Sequence, residues 1–318
     1  MKRVIPIILF SFASIAGAQT WPAKPVRIVI AFPAGGPTDG VGRVLAERLT
    51  KLHGQQFLVE NRTGAGGNIG AETVAKSPPD GYTLFLSSPG PLVTAPFLYK
   101  NLAFDARRDF TPISPVADMP ILFAANTKVP VTTLAELIAY ARRNPGKLSY
   151  GSSGNGSIGH LSAELFKHLA NVDLVHVPYR GSPPALQDLV GGQVDLTVDN
   201  LAGALRFVQN GQIRALAITT TKRWPSLDAI PTVQEAGFAG YEASSWAHLF
   251  GPAKLPADIV SSLNHSVREY VVSDEGAKRL LGLGFLPVAG TPEDLDRAVR
   301  ADVARWGPVI EKIGVRLE

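Results

Sequence analysis

The chain has 318 residues, 45% of them hydrophobic and 18% charged, with a net charge of +4. That is enough apolar material for two α/β cores and too little charge for long disordered tails. It contains no cysteine, which excludes disulfides, thiolate catalysis and Cys-held metal centres; its 31 Lys and Arg are dispersed, with no basic stripe of the kind nucleic acid needs.

Lys2 and Arg3, an apolar stretch over 4–15 and the small trio Ala16-Gly17-Ala18 read as a secretory leader over 1–18, with Gln19 the first mature residue. The apolar stretch is short for a membrane span, no cysteine follows it for a lipid anchor, and no later stretch is long enough to cross a bilayer. The mature protein is expected to be exported and soluble.

A strand over 26–32 runs through AFPAGGPTDG (31–40) into a helix near 38–52, whose Val41, Val44, Leu45 and Leu49 share one face. A short strand over 57–60 leads through NRTGAGGNIG (61–70) into a helix ending near Ala75. Pro78-Pro79-Asp80-Gly81 turns the chain, and a strand over 82–87 ends at Ser87-Ser88. This alternation predicts a mainly parallel sheet covered on both faces.

A strand over 121–125 begins a second unit. Thr133 with Glu136 forms a capping box opening a helix that buries Leu134, Leu137, Ile138 and Ala141. A strand over 148–150 runs through YGSSGNGSIGH (150–160) into a helix expected to turn Leu161, Leu165 and Leu169 inward. Strands follow over 174–178, 194–198 and 215–219. Between them Ser182 is read as a cap with Pro183 at the first helical position, and Asn200 as the cap of the next helix. The run WAHLFG (246–251) reads as the return crossing, so that crossings near 121 and 248 make a hinge. Trp246 there suits either core or cleft wall. Helices over 257–271 and 291–310 complete the first unit, the latter opened by Thr291 and Asp294, with Leu295, Val299, Val303 and Trp306 as its buried stripe. The expected division is 1–18 leader, 19–121 and 249–318 first lobe, 122–248 second lobe.

The two loops 31–40 and 150–160 share one design. A strand turning through small residues into a helix points unpaired N–H groups at one spot, and the helix dipole makes that spot favour an anion. Two such cradles far apart in sequence suggest half-sites on two lobes that grip one small acidic ligand. Gly154–Gly159 also satisfies GxGxxG, but Asp173 stands at the start of the following strand rather than its end, against a dinucleotide site. A plain turn without ligand remains open for it. No Walker lysine, GxSxG elbow or zinc-type histidine spacing is present. Ser157 and His160 could lie close enough for a nucleophile–base pair, yet no orienting acid is evident, and capping suits Ser157 better. Asp39 fits a helix-dipole role first and a ligand hydrogen bond second.

PVRIVIAFPAGGPTDGVGRVLAERL, VENRTGAGGNIGAETVAKSPPDGYTL, NPGKLSYGSSGNGSIGHLSAELF, VHVPYRGSPPALQDLVGGQVDL, DNLAGAL and IPTVQEAGFAGYEASSWAHLFGPAKLPADIV resemble, together, the Bug (TctC-like) family, the substrate-binding proteins of tripartite tricarboxylate transporters. The resemblance spans nearly the whole mature chain. It implies a type II periplasmic "Venus flytrap" of two α/β lobes and a hinge, holding a carboxylate-bearing or related metabolite through backbone N–H groups and ordered water. It assigns Phe32, Gly35, Gly36, Thr38 and Asp39 to the first cradle, and Gly66, Gly67, Asn68, Ser87 and Ser88 to neighbouring loops. From the second lobe it assigns Ser152, Ser153, Gly154, Asn155, Gly156, Ser157 and His160, with Tyr179, Arg180, Gly181, Asp199 and Asn200 beside them. Many relatives carry Lys at Arg180 and Gly at Pro37; the first change offers a planar fork to a second carboxylate, and the second removes one N–H.

The resulting expectation is a non-enzymatic receptor in the periplasm, monomeric, without cofactor or metal, that closes on its ligand and docks on membrane permease subunits. A periplasmic enzyme using Ser157 or His160, or a ligand sensor for a signalling partner, are the alternatives.

Overall fold

The computed structural model of the chain describes residues 21–317; the leader expected at 1–18 lies outside them. β1 (Val26–Ile30) leads to α1 (Pro37–His53), β2 (Phe57–Asn61), α2 (Asn68–Ala75) and β3 (Thr83–Ser87). β1 lies between β2 and β3, parallel to both. Its alternation is readable in what it touches. Val26, Ile28 and Ile30 pack with Val41, Val44, Leu45 and Leu49 of α1, while Val29 faces Ala71 and Val74 of α2. Each fully buried aliphatic side chain there contributes roughly 1.5–3 kcal/mol.

A single π-helical turn at Gly90–Thr94 and the short α3 (Ala95–Leu98) lead to β4 (Phe110–Asn126), a 17-residue strand. Then come α4 (Leu134–Arg143), β5 (Ser149–Ser152), α5 (Ile158–Ala170), β6 (Val175–Pro178), α6 (Ser182–Gly191), β7 (Leu196–Asn200), α7 (Leu201–Gln209) and β8 (Ile213–Ile218). β5 lies parallel between β6 and β7. The far half of β4, from Ile121 on, runs antiparallel to β7 and β8. β9 (Ser244–Pro252) pairs antiparallel with β3 and with β4 from Phe110 to Pro120. α8 (Ala257–Val272), α9 (Asp274–Gly282), β10 (Leu286–Pro287) and α10 (Pro292–Ile313) finish the chain.

One long strand therefore belongs to two groups of strands. The sheet is parallel within each group but antiparallel at every pairing made by β4 or β9, which corrects the mainly parallel expectation. The first half of β4 escapes a sequence reading because Pro112, Pro115 and Pro120 argue against a central strand. The chain accommodates them by slipping register between Pro112 and Ser114 and again between Ser114 and Ala117. Beside the second slip the Val116 N–H donates to His248 Nδ1 at 3.2 Å.

Local signals are mostly realised. Thr291 and Asp294 form the full capping box, and Ser157 accepts the His160 N–H as N-cap of α5. Thr133 accepts the Glu136 N–H, but the Glu136 carboxylate turns back to the N–H and hydroxyl of Thr132. Gly181, not Ser182, is the cap of α6, and Asn200 caps α7 without a side-chain bond. Leu169 is 46% exposed; α5 buries Ile158, Leu161, Phe166 and Ala170 instead, a stripe shifted one residue from the leucine spacing. Ser273 caps α9, its hydroxyl accepting the Gly276 N–H, a stop-and-restart the sequence reading missed. Trp246 is buried, donates to Asp302 Oδ2 at 2.8 Å and stacks on His248, so it belongs to the core.

Candidate functional site

The starts of α1, α5, α6 and α7 converge on a cavity of about 30 Å³ between the two strand groups. Phe32, Pro33, Gly36, Pro37 and Thr38 form one wall, with Ser88, Pro89 and Gly90 beside them. Ser153, Ser157, Ile158, Gly159, Gly181, Ser182 and Asn200 form the other. Met119 and Ile121 of β4 and Ser245 of β9 make the floor. No charged side chain lines it. A second, outer pocket of about 530 Å³ shares Phe32, Pro33, Ser153 and Gly181 and adds Gly66, Gly67, Tyr99, Gly154, Asn155, Tyr179 and Arg180.

The donors differ from a simple count of loop amides. In the first loop the Gly35 N–H donates to Asp39 Oδ2 at 2.9 Å and the Gly36 N–H to the Pro33 carbonyl at 3.2 Å. Pro37 has no N–H. The first-turn donor that remains for a guest in the cavity wall is that of Thr38. In the second loop Gly156 N–H donates to His160 Nδ1 and Ser157 N–H to the Gly154 carbonyl. There Ile158 and Gly159, both in the cavity wall, supply the open helix start. α6 offers only Ser182, since Pro183 and Pro184 follow it.

The walls meet at Gly181. Its φ of 106° is hostile to other L-residues, and a Cβ would stand 2.9 Å from the Pro33 ring. Thr94 of the π-helical turn donates across to the Gly156 carbonyl at 2.9 Å.

Of the residues expected in the site, Phe32, Gly36, Thr38, Ser88, Ser153, Ser157, Gly181 and Asn200 line the inner cavity. Gly66, Gly67, Gly154, Asn155, Tyr179 and Arg180 line the outer pocket. Tyr179 donates its hydroxyl to Asp188 at 2.7 Å, and Arg180 is exposed. Eight others line neither. Asp39 is buried inside its own loop, accepting from Gly35, Asn61 and Arg43. Burial opposes ionisation there, yet these hydrogen bonds together hold its pKa below the ordinary carboxylate value. Ser87 donates to the Ser88 carbonyl, Ser152 pairs with His176 Nε2 at 2.7 Å, and Gly156 and His160 bind each other. Asn68 starts α2, and Gly35 opens onto another pocket beside α6 and α7. Asp199 lies buried directly behind Asn200.

Pro33, Met119, Ile121, Ser182, Ser245 and Tyr99 are lining residues the sequence reading missed. Ser182 carried a signal, as the residue after Tyr179-Arg180-Gly181. Pro33 sits inside the marked loop 31–40, while Met119, Ile121 and Ser245 arrive through the β4–β9 crossing and Tyr99 at the end of α3, whose positions no motif marks.

Ser157 and His160 do not make a nucleophile and base. The Ser157 hydroxyl accepts the His160 backbone N–H, and His160 Nδ1 accepts from Gly156. Burial lowers the His160 pKa to about 4 and that of His176, stacked 4.1 Å away, to about 3, so both rings are neutral. Asp199 is the opposite case. Burial raises its pKa to about 6, partly offset by Ser182, Ser153 and Asn200. Among the described residues no group of His, Asp and Glu could hold a metal ion, and no helix is long and apolar enough to cross a membrane.

The chain matches the sequence model of the tripartite tricarboxylate transporter family receptor (TctC) over residues 41–315. It is 35% identical to protein BugT of Bordetella pertussis, over 100% of this chain and 99% of that one. Among solved structures it is similar to an R. palustris protein with adipate, with a TM-score of 0.91 and 44% identity over 93% of this chain and 99% of the other. It is likewise similar to MatC from Rhodopseudomonas palustris with bound malate, with a TM-score of 0.86 and 34% identity over 91% and 100%. With these structures it shares the α/β fold of periplasmic binding proteins.

Proposed function

The chain belongs to the tripartite tricarboxylate transporter receptor family, and from that premise we propose that it captures a small carboxylate-bearing metabolite, or a related amide, between two lobes. It is a solute receptor, not an enzyme. The observation that carries the ligand reading is the meeting of helix starts from both strand groups on one polar cavity without charged walls. Such a site holds an anion by backbone amides and hydroxyls and releases it without breaking an ion pair. The adipate and malate in two similar structures support a carboxylate class.

On this reading the leader over 1–18 directs the protein to the periplasm, and the loaded form docks, as a monomer, on membrane permease subunits. We take 19–121 and 249–318 as the first lobe and 122–248 as the second. Because β9 pairs with the first half of β4 from Ser244 on, the pairing favours a return nearer 243 than 248. Ligand bridging both walls favours the closed arrangement, a shift of population.

The test is a thermal-shift and calorimetric screen of small mono-, di- and tricarboxylates, with mass spectrometry of co-purified ligand and of each compound after incubation. Saturable binding without product is expected. Gly36→Val puts branched carbon into the narrow cavity at a position where a Cβ would stand 3.2 Å from the Pro33 carbonyl oxygen. It should weaken binding at least ten-fold. Unaltered affinity in that variant, or conversion of the ligand, would refute the proposal.

A further inference from the structure

α10 is seated at both ends but not in between. Leu295, Trp306 and Ile310 are buried, whereas Val299 and Val303, expected in the same stripe, are only partly covered. Beneath them lies a cavity of about 300 Å³, separate from the two cleft pockets. Asp296, Val299, Arg300 and Val303 form its α10 wall, and their spacing places them on one face of the helix. Phe110 of β4, Phe250 of β9 and Leu92 of the π-helical turn form its base. Phe110 is itself held between Phe85 and Phe104, each ring centroid 5.7 Å away, so the base is a rigid apolar surface.

Charge is confined to the rim. Arg300 is tied to Asp296 at 2.7 Å. Arg107 is exposed there, and among the described residues its guanidinium has no hydrogen bond or ion pair. An apolar base under one uncommitted cation suits a guest with an apolar body and a single anionic end. That is the reverse of the inner cleft cavity, whose walls are polar and carry no charge.

One turn of chain joins this cavity to the cleft. In the π-helical turn Gly90–Thr94, Gly90 lines the inner cleft cavity and Leu92 lines the cavity under α10. Thr94 of the same turn donates to the Gly156 carbonyl of the opposite wall at 2.9 Å. Single π-helical turns occur frequently at functional sites. A guest packed on Leu92 holds the turn where Thr94 reaches Gly156, which favours the arrangement with the walls joined. Any gain this gives to cleft affinity is returned equally to the guest.

We propose that the cavity under α10 is an effector site: it takes an apolar monocarboxylate, and through Leu92 and Thr94 its occupant tightens the cleft. The tightening rests on the receptor reading above; occupancy of the site does not.

The probe is 4-tert-butylbenzoate, too broad for the inner cleft cavity, with 4-tert-butylbenzamide as its uncharged control. Calorimetry should show saturable binding to the wild type, at least three-fold weaker for the amide and for Arg107→Ala. Val303→Trp, which fills the cavity, should abolish it, and the surface variant Arg107→Ala covers the case in which Val303→Trp fails to fold. Gly36→Val should bind the probe as the wild type does. No binding, equal affinity for acid and amide, or loss of binding in Gly36→Val would overturn the inference. Saturating probe should also slow amide hydrogen exchange over 154–160 and tighten adipate or malate at least five-fold. Thr94→Val should still bind the probe but lose both effects. Unchanged exchange over 154–160, or effects that persist in Thr94→Val, would overturn the effector role. If neither dicarboxylate binds, the receptor reading is at fault, and the exchange measurement still decides the inference.

Discussion

Asp199→Asn should make the ligand-free protein more stable at neutral pH, although it lies directly behind the binding wall. The buried Asp199 carboxyl has a pKa raised from 3.8 to about 6 by desolvation. A folded-state pKa above the unfolded one means the native state holds more protons between the two values. Stability then falls as pH rises through that window, and the full penalty is present above about pH 6. Two pH units correspond to roughly 3 kcal/mol at the limit. Asparagine keeps the Oδ1 acceptor for the Asn200 N–H and sets a neutral donor beside the Ser153 and Ser182 hydroxyls, while its amide still has to be desolvated. A gain of about 1–3 kcal/mol is expected at pH 7.5, shrinking toward zero by pH 4. Urea unfolding of ligand-free wild type and variant across pH 4–8 measures it, and the difference between the two curves isolates Asp199 from other titrating groups. A variant that is less stable at pH 7.5, or a difference that does not change with pH, would refute the desolvation argument.

Gly159→Ala would set a Cβ 2.1 Å from the Val198 carbonyl oxygen, forcing the start of α5 off β7. Chemical denaturation should report a loss of 1–3 kcal/mol or more, with weaker ligand binding because Ile158 and Ser157 move too. Trp246→Phe keeps the ring but removes the donor to Asp302, a carboxyl already raised by burial. A loss of about 1–3 kcal/mol is expected in urea at pH 7.5, and little at a pH where Asp302 is protonated. His176→Phe keeps the stack on Tyr150 and His160 but deletes a ring whose folded pKa, about 3, lies below the unfolded value near 6.5. That depression gives stability above pH 6.5 that is lost on acidification, so the variant should unfold with a flatter pH dependence between 6.5 and 4.

What could be read from the sequence was whatever is fixed within a few neighbouring residues. The caps at Ser157 and Thr291, the strand-to-helix loops and the stripe of α1 are local, and they appear where their residues dictate. Glycine richness marked the loops correctly but misjudged the donors, because Gly35 and Gly36 turn their amides into the loop rather than the cavity. Asp39 was ambiguous for the same reason: a first-turn acid looks alike whether it faces a guest or ties Gly35, Arg43 and Asn61 together. The floor residues Met119, Ile121 and Ser245 were invisible. They depend on a register between strands more than a hundred residues apart, and on a proline-bearing strand that holds its place only through two slips.

A site built this way can switch the molecule without a strong ion pair. Moving a two-state equilibrium from 1:99 to 99:1 takes about 5.5 kcal/mol of differential affinity. On the proposed reading, a guest seated on the Thr38 amide of the first wall acquires its second-wall contacts only on closure. Charge-assisted hydrogen bonds are worth about 1.5–3 kcal/mol each, so two to four of them suffice. The second wall offers the amides of Ile158 and Gly159, the Ser182 group and the Asn200 side chain, which meets that number. Arg180, exposed in the outer pocket, would add about 0–1 kcal/mol, too little to drive closure. Its place is to attract and orient an acid at the mouth, and closure must come from the uncharged wall behind it.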